Sequence, residues 1–397
     1  MGYVLTREDL LRDLYIAFYD ARKHKASKSY VKEFEANLKK NLEELRDELY
    51  YKTYKPLPST CFIVDYPKKR EIFAAEFRDR IVHHLYYNYT CELFERTFIA
   101  DTYSCIKGRG THYGISRLEK HIRQESLDYS IPCYVMKIDI RGYFMNINRN
   151  ILLKVSTDSI IKLSKHKIHK SCDDTWEDVL DIGFILWLTK EIVLINPIEG
   201  CKIICNRDFW IGLDKNKSLF SVEEGRGLPI GNLTSQLFSN VYLNILDQYV
   251  KRILKCKHYG RYVDDAYIVS CDKEWLLTLI PKMRTFLNDK LGLELHMGKT
   301  SIYNVNCGVE FLGAYVKRHR NYVSNKALDR MCGKLDEKHD IAPMDMYSTI
   351  NAYLGMLSHY STYKIKNDIF MKRGYNEISS YNLELTKMNK LTYKIAA

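Results

Sequence analysis

Apolar residues recur every three or four positions through the first 51 residues, with Lys and Glu between them. This spacing is typical of helices that bury one face and leave a charged face in water. Pro56 and Pro58 end the pattern. It therefore predicts a helical region from Arg7 to about Tyr51. The apolar positions are Leu10, Leu11, Leu14, Ile16, Phe18, Phe34, Leu38, Leu42, Leu45 and Leu49.

Shorter apolar runs farther along the chain predict strands. Strand-like runs occupy 61–72, where Pro67 interrupts them, and a helical pattern covers 77–94. The run 134–139 reads as a buried strand that ends in the carboxylate of Asp139.

A glycine-rich loop and a hairpin follow. The loop, 224–231, opens onto a predicted helix with its apolar face at Leu237, Val241, Ile245 and Tyr249. Two strand-like runs come next, 258–263 and 266–270, with only Asp264 and Asp265 between them. The pattern predicts a two-residue hairpin turn at these two carboxylates.

This turn has an unusual composition. Tight hairpin turns favour Asn-Gly, Asp-Gly or Gly-Gly, whereas two adjacent carboxylates repel each other. An ordinary exposed acidic turn is one interpretation. The other takes Asp139 into account, a third carboxylate at the end of an apolar strand. Carboxylates on neighbouring strand ends suit two Mg²⁺ ions roughly 4 Å apart, an arrangement that serves phosphoryl transfer.

Composition and charge narrow the possible partners. The chain has 397 residues, 46% hydrophobic and 28% charged, enough for a large core. Lys and Arg number 61 against 49 Asp and Glu, a net charge of +12 that attracts nucleic acid or an anionic membrane. No apolar run approaches the ~18 residues of a membrane span. We therefore expect a nucleic-acid partner and no membrane association.

The cysteines indicate a reducing compartment. There are 11, an odd number scattered through apolar stretches, whereas disulfide frameworks belong to small secreted chains. We expect free thiols and a cytoplasmic protein.

Taken in order, several motifs resemble those of reverse transcriptases between about residues 55 and 320. They are Pro67-Lys-Lys-Arg70-Glu-Ile72, Asp139-x4-Phe144, Gly227-Leu-Pro-Ile-Gly231-x3-Ser235-Gln236, Tyr262-Val-Asp-Asp265, Gly298-Lys299-Thr300 and Phe311-Leu-Gly313. The resemblance implies an RNA-directed DNA polymerase that uses two Mg²⁺ ions, deoxynucleoside triphosphates, a template RNA and its cDNA.

The same resemblance implies an α+β fold of the right-hand polymerase type, with an antiparallel palm sheet and helical regions at both ends. The expected domains are an N-terminal helical extension (1–55), fingers (56–135), a palm (136–315) with an insertion at about 151–224, and a thumb (316–397). From Lys317 onward, 14 Lys and Arg stand against 8 Asp and Glu, as expected of helices on a phosphate backbone.

Individual roles also follow from the resemblance. Asp139 and Asp264 would ligate both metals, with Asp265 in support and Ile140 in the same metal-binding set. Lys299 would act as general acid near the pyrophosphate. The expected nucleotide-binding residues are Lys68, Lys69, Arg70, Tyr143, Phe144, Ile230 and Gly231. The expected primer and template contacts are Arg109, Ser235, Gln236, Phe311, Leu312 and Gly313.

Several of these roles have structural alternatives. Arg70 could belong to a solvated basic turn, Phe144 to the core, and Lys299 to the open surface. The segment 311–313, with the basic run 317–320, would grip the primer end or be a charged edge strand. If Phe144 is not a core residue, it would stack under the nucleotide sugar and exclude a 2′-hydroxyl.

One departure indicates a subgroup. Most reverse transcriptases have Gln-Gly-x3-Ser-Pro before the palm helix, whereas this chain has Ile230-Gly231-x3-Ser235-Gln236. This change, with Lys217-Ser-Leu-Phe220 upstream, resembles the polymerases of diversity-generating retroelements. Such enzymes copy a template RNA with errors at adenines, and a small basic helical accessory protein is the implied partner.

Three alternatives remain at this stage. A defence-associated reverse transcriptase of the abortive-infection type shares the altered loop in some cases. A group II intron protein would need a maturase segment and often an endonuclease after the thumb. A non-catalytic RNA-binding relic would have no reason to keep a repelling acidic pair.

Overall fold

The computed structural model describes residues 2–66, 68–169, 171–337, 343–360, 362, 364–366 and 368. Pro67, the first residue of the first motif, and the predicted thumb residues 369–397 lie outside the described residues. The described part contains both helices and strands in quantity. The mixed α and β character expected of the chain is therefore confirmed.

The elements follow one another in mixed order. The helices are α1 (Arg7–Arg22), α2 (Ser29–Ala36), α3 (Leu38–Tyr50), α4 (Phe77–Glu95), α5 (Thr111–Glu125), α6 (Tyr143–Asn146), α7 (Arg149–Ser164), α8 (Trp176–Val179), α9 (Ile182–Val193), α10 (Leu233–Gln248), α11 (Lys273–Phe286), α12 (Asn325–Glu337) and α13 (Pro343–Leu357). The strands are β1 (Thr60–Val64), β2 (Arg70–Ala74), β3 (Tyr134–Ile138), β4 (Lys202–Ile203), β5 (His258–Tyr262), β6 (Asp265–Ser270), β7 (Ser301–Asn304), β8 (Val309–Phe311), β9 (Ala314–Lys317) and β10 (Arg320–Val323).

The chain divides into two compact units. The first comprises Met1–Gly108, Ile138–Ala266 and Thr278–Thr300, and the second comprises Arg109–Lys137, Tyr267–Leu277 and the described part of Ser301–Ala397.

The N-terminal helices of the first unit confirm the predicted helical region. Helix α1 is capped by Thr6, whose hydroxyl accepts a hydrogen bond from the backbone N–H of Asp9 and so satisfies one donor of the first turn. Its buried side, which includes Leu10 and Leu14, packs against α4 and α3. The predicted positions Leu10, Leu14 and Phe18 are thus buried, whereas Ile16, which the spacing also placed among the apolar positions, is 51% exposed.

Helix α10 is the most deeply buried helix of the first unit. The predicted face at Leu237 and Val241 is buried, and so are Phe238, Tyr242 and Leu246 on other sides. The helix packs on α4 and α7. Several of its polar residues are therefore enclosed, and two of them, Asn240 and Asp247, support the site described below.

Strand pairing gives three sheets. Strand β1 runs antiparallel to β2, with Thr60 opposite Ala74, and parallel to β4, so that the order is β2-β1-β4. A second sheet has the order β5-β6-β3-β7, and in it β3 and β7 are antiparallel, with Tyr134 opposite Asn304. The third sheet has the order β10-β9-β8, with both pairs antiparallel.

The second unit has a small apolar core of its own near the C-terminal helices. Val323 at the end of β10 packs with residues of α12 and α13. The other fully or nearly fully buried members are Met331, Leu335, Ile350, Leu354 and Leu357. These contacts join the third sheet to the helices that follow it.

The cysteines and the apolar helices bear on disulfide bonding and on membrane insertion. All 11 cysteines are free thiols, as expected. No helix in the described part of the chain is both long and apolar enough to cross a membrane.

Candidate active site

The acidic hairpin is formed by β5 and β6, but its turn differs from the predicted one. Strand β5 ends at Tyr262 and β6 begins at Asp265, so the turn residues are Val263 and Asp264. The prediction that Asp264 and Asp265 form the turn was therefore wrong by one residue. Val263 has φ of 54°, a left-handed conformation that is sterically unfavourable for a β-branched residue.

Two side chains hold the turn in this conformation. The backbone N–H of Val263 donates to Ser104 Oγ at 3.1 Å. The carbonyl of Val263 accepts from Arg261 Nη1 at 2.9 Å. Because both backbone groups of Val263 are bonded from outside the turn, the surrounding structure compensates for its strained geometry.

Arg261 belongs to a fully buried ion pair that sequence reasoning missed. Its Nη2 lies 2.6 Å from Asp247 Oδ2 and its Nε 2.8 Å from Oδ1, and both side chains are 0% exposed. Tyr259 also donates its hydroxyl to Asp247, at 2.7 Å. Burial alone would lower the pKa of Arg261, but the adjacent Asp247 carboxylate raises it overall.

A buried asparagine links the ion pair to the serine. Asn240 Oδ1 accepts from both Arg261 Nη1 and Ser104 Oγ, each at 3.2 Å. The Asn240 amide in turn donates to the Ser104 carbonyl at 2.8 Å. We call Ser104, Asn240, Asp247, Tyr259 and Arg261 the turn-support network. Its sequence signal was an Arg and an Asp within otherwise apolar segments.

Asp139 directly follows β3, and backbone pairing brings Lys299 to it. The N–H of His296 donates to the Asp139 carbonyl at 2.8 Å, and Ile140 forms a bridge with Leu295. Three residues beyond His296, Lys299 Nζ lies 3.3 Å from both carboxylate oxygens of Asp139. The sequence-predicted pair of a catalytic carboxylate and a lysine is thus together in the first unit.

The electrostatic environment of Asp264 connects four predicted site residues. Burial, followed by the Asp139 carboxylate, raises the pKa of Asp264, while Lys299 and Arg70 act in the opposite direction together with a backbone hydrogen bond. These charges must lie near one another to act in this way. Asp139, Asp264, Lys299 and Arg70 therefore form one charged site.

The donor set fits metals that share their coordination with a substrate. Among the residues that the structure describes, no three side chains of His, Cys, Asp or Glu form a complete metal cage. Mg²⁺ is usually bound through one or two carboxylates, with water and substrate phosphates in its other positions. Asp139 and Asp264, whose mutual repulsion a cation would relieve, fit this mode of binding. Because the side chain of Ile140 is a hydrocarbon, only its backbone carbonyl oxygen could act as a ligand.

The glycine-rich loop is fixed by backbone bonds to the segment after Asp139. The N–H of Leu228 donates to the Phe144 carbonyl at 2.9 Å, and the N–H of Phe73 in β2 donates to the Ile230 carbonyl at 2.9 Å. Gly231 has φ of 131°, and a Cβ there would stand 2.9 Å from the Phe73 carbonyl oxygen. The close approach of loop and strand thus requires glycine at 231.

Phe144 and Ile230 share one apolar cluster. Both are half-buried and pack against Cys61, Phe73 and the buried residues around them. Neither side chain is fully enclosed, so each packs on the core and keeps an exposed edge. The placement is compatible with both interpretations of Phe144, a core residue or a contact for the nucleotide sugar.

The basic motif of the predicted fingers has an exposed arginine and two lysines that differ in their contacts. Arg70 and Lys68 are exposed. Lys69 donates to the Ile211 carbonyl at 2.9 Å and lies 3.3 Å from Asp65. Lys69 is therefore engaged within the protein, which leaves Lys68 as the freer lysine beside Arg70.

A buried glutamate next to Arg70 was also missed from the sequence. Glu71 is 0% exposed and accepts hydrogen bonds from Trp210 Nε1, Ser218 Oγ and the Leu219 N–H at 2.6, 2.7 and 2.6 Å. These bonds fasten the segment 207–221 to β2 and so fix the strand that carries Arg70.

Three other predicted contacts of the first unit differ in exposure. Tyr143 is buried, and its hydroxyl donates to the Ser239 carbonyl at 2.6 Å, so it supports α10 from inside. Ser235 is buried, whereas Gln236 is exposed. Of these three, only Gln236 presents its side chain openly to solvent.

The remaining predicted contacts belong to the second unit. Arg109 is half-buried there. Phe311 is 0% exposed and packs edge-on against Tyr267, at 5.1 Å between ring centroids. Leu312 and Gly313 form the β8–β9 turn with φ of 50° and 83°. The ring of Phe311 is thus a core group, and only the turn beside it is open to a primer.

Comparison with known proteins yields a family match. The family model described as "Reverse transcriptase (RNA-dependent DNA polymerase)" matches residues 68–316. Protein YkfC of Escherichia coli (strain K12) is 25% identical over 321 residues, which cover 72% of this chain and 74% of that protein.

Two solved telomerase structures are also similar. Telomerase from Candida albicans, in complex with a TWJ fragment of telomeric RNA, has 11% identity and a TM-score of 0.46, with 82% of this chain and 60% of that chain covered. Apo telomerase from Candida tropicalis has 13% identity and a TM-score of 0.45, with 82% and 58% covered. The match thus spans about three fifths of each telomerase chain.

Proposed function

Because the chain belongs to the reverse transcriptase family, its activity is RNA-directed DNA synthesis, and we propose that it is the error-prone polymerase of a diversity-generating retroelement. The observation that carries the proposal is Ile230, which supplies an apolar side chain in the loop where most of the family has glutamine. The side chain packs on the same cluster as Phe144.

The proposed chemistry is nucleotidyl transfer at Asp139 and Asp264. These two residues would hold two Mg²⁺ ions, with Asp265 in support and the Ile140 carbonyl beside them. When bound, the ions lower the pKa of the primer 3′-hydroxyl and neutralise charge on the leaving pyrophosphate. Lys299, whose Nζ lies 3.3 Å from Asp139, would give a proton to that pyrophosphate.

The nucleotide would be positioned by groups from the fingers and the loop. Arg70, fixed through its neighbour Glu71, would clamp the triphosphate with its two-pronged guanidinium, assisted by Lys68. Phe144 would stack under the sugar and exclude a 2′-hydroxyl. Gln236, Arg109 and the turn residues Leu312 and Gly313 would contact primer and template, whereas the buried Ser235 and Phe311 would support them from the core.

The link to low fidelity is a missing hydrogen bond. A glutamine at position 230 can bond near the nucleotide sugar and help to fix the nascent pair, whereas isoleucine has neither donor nor acceptor. A neutral hydrogen bond contributes about 0.5–1.5 kcal/mol, and ~1.4 kcal/mol is tenfold in rate. Discrimination should therefore change by up to roughly tenfold.

Sequencing of cDNA made by Ile230→Gln and by wild type, on a template containing all four bases, tests the proposal. Wild type should misincorporate mostly opposite adenine, and Ile230→Gln should do so less. Ile230→Val, which stays apolar, is the matched control and should keep the wild-type error rate. Uniformly low error in wild type would refute the assignment and favour the defence-associated alternative.

Template choice should depend on a partner. Phosphate contacts and base stacking, which a basic chain with 31 Tyr can supply, tolerate any sequence. We therefore propose that a small basic helical accessory protein selects the cognate RNA. Efficient and specific priming on that RNA by the isolated chain would remove the need for it.

A further inference from the structure

An aromatic and basic cleft lies where helices α10 and α11 end, away from the catalytic turn. Both helices continue into a π-helical turn, Tyr249–Ile253 after α10 and Leu287–Leu291 after α11. Such turns are rare in proteins, but those that occur are often found at functional sites. Here they bring Tyr249 and Phe286 together, with ring centroids 3.9 Å apart and planes within 7° of parallel.

The stacked rings line an open cleft of about 450 Å³ with cations at its rim. Lys282, Phe286 and Lys290 follow one another at intervals of four residues, which places them along one side of the helix. Both lysines are exposed lining residues of the cleft. Asp289 is the acidic lining residue, so the rim is net basic.

More cations lie just after Tyr249. Arg252, Lys255 and Lys257 are all exposed. In the described part of the chain, neither these three nor the two rim lysines form an ion pair with a carboxylate. Their charges are therefore available to a ligand. The exposed side chain of Ile253 adds apolar surface beside them.

The cleft is separate from the catalytic carboxylates. Lys257 precedes β5 and Asp264 follows it. A strand advances about 3.3 Å per residue, so the two ends are on the order of 20 Å apart. None of the residues that line the cleft is a predicted catalytic or nucleotide-binding residue.

From these observations we infer that the α10–α11 cleft, defined by Tyr249, Lys282, Phe286 and Lys290, binds single-stranded RNA outside the stretch being copied. Lys and Arg contact its phosphates, and the aromatic pair receives an unpaired base. Aromatic platforms within a cationic groove are the usual means of binding single strands. A duplex keeps its bases stacked on one another and has none to offer. The cleft would hold the template RNA near the site and raise its effective concentration there.

The test compares two primed RNA templates, one ending at the copied stretch and one with an unpaired 3′ extension beyond the primer duplex. For wild type, the extension should lower KM without changing kcat. In Lys282→Glu/Lys290→Glu, the factor by which the extension lowers KM should fall about tenfold at low salt. The slope of log affinity against log salt concentration should become shallower by about 0.7 for each phosphate contact removed.

Lys32→Glu/Lys39→Glu is the matched control. It changes the net charge by the same amount on an exposed surface of α2 and α3 where acidic residues alternate with basic ones. It should keep the extension's advantage. An equal loss in both double variants would mean bulk charge only, and an unchanged KM advantage in Lys282→Glu/Lys290→Glu would overturn the inference.

Phe286→Leu tests the aromatic part separately, because it keeps apolar volume but removes the ring. It should weaken binding of the extension by about tenfold and leave binding of an abasic extension unchanged. Binding of polyglutamate that depends on Lys282 and Lys290, with RNA binding unaffected, would assign the cleft to an acidic protein instead and refute the RNA assignment.

Discussion

Replacement of Arg261 by lysine should impair catalysis far more than it impairs folding. The side chain of Arg261 donates four hydrogen bonds, two to Asp247, one to Asn240 and one to the Val263 carbonyl. Lysine keeps the charge opposite Asp247 but ends in a single nitrogen. It cannot pair with both carboxylate oxygens and also reach Val263, so the turn loses its carbonyl partner.

The magnitude follows from that lost bond. A hydrogen bond from a charged donor contributes about 1.5–3 kcal/mol, and ~1.4 kcal/mol is tenfold in rate. If the loss appears as misplacement of Asp264, kcat should fall by about 10- to 100-fold. Because the charge pair survives, the free energy of unfolding should fall by only about 1–3 kcal/mol.

Asp247→Asn is the informative comparison. It leaves Arg261 buried without a counter-charge, a change that costs about 3–5 kcal/mol of stability, but it keeps the donor to Val263. Primer extension and urea unfolding, both run where each variant is folded, should therefore rank the two variants in opposite orders. If folded Asp247→Asn loses activity as severely as Arg261→Lys, the bond from Arg261 to the Val263 carbonyl is not what positions the turn, and the positioning argument fails.

Three further outcomes are expected. Asp264→Ala or Asp265→Ala should abolish magnesium-dependent DNA synthesis on primed RNA. RNA affinity should stay within about twofold in a filter-binding assay, because binding rests on phosphate contacts. Primer extension at near wild-type rate would refute the site. Phe144→Ala should admit ribonucleotides, and an unchanged preference for deoxynucleotides in single-nucleotide incorporation would make Phe144 a core residue only. Because burial and Asp139 raise the pKa of Asp264, its ionised form costs stability once the pH exceeds an ordinary carboxyl pKa. At pH 7, Asp264→Asn should therefore raise the Tm of the metal-free protein and remove most of the Tm gain that magnesium chloride gives wild type, whereas an equal magnesium response in both proteins would contradict Asp264 as a ligand.

The helices and the charged residues of the site were largely predictable from the sequence. Apolar spacing identified the N-terminal helices and α4, because burial of one face imposes that spacing directly. The order of motifs identified Asp139, Asp264 and Lys299. The structure places their charges close enough to act on one another.

The turn register and the support network were not predictable in this way. Adjacent acids suggested a turn at Asp264 and Asp265, but the turn lies at Val263 and Asp264 because distant side chains impose a left-handed backbone on Val263. Local propensity carries no information about Ser104 or Asn240. For Phe311 the motif suggested a role that the structure does not support: the residue was expected at the primer, but its side chain is fully buried.

The wide sequence separation of the groups around Val263 has a consequence during synthesis of the chain. Ser104 bonds to a residue 159 positions later, and Asp139 meets a lysine 160 positions later. Closing such long loops is entropically costly until both ends are anchored. A growing polypeptide therefore cannot assemble the centre until Lys299 has emerged from the ribosome. We expect a prematurely terminated product that ends between Asp265 and Lys299 to carry all three carboxylates and still lack polymerase activity, because the cation opposite Asp139 is missing.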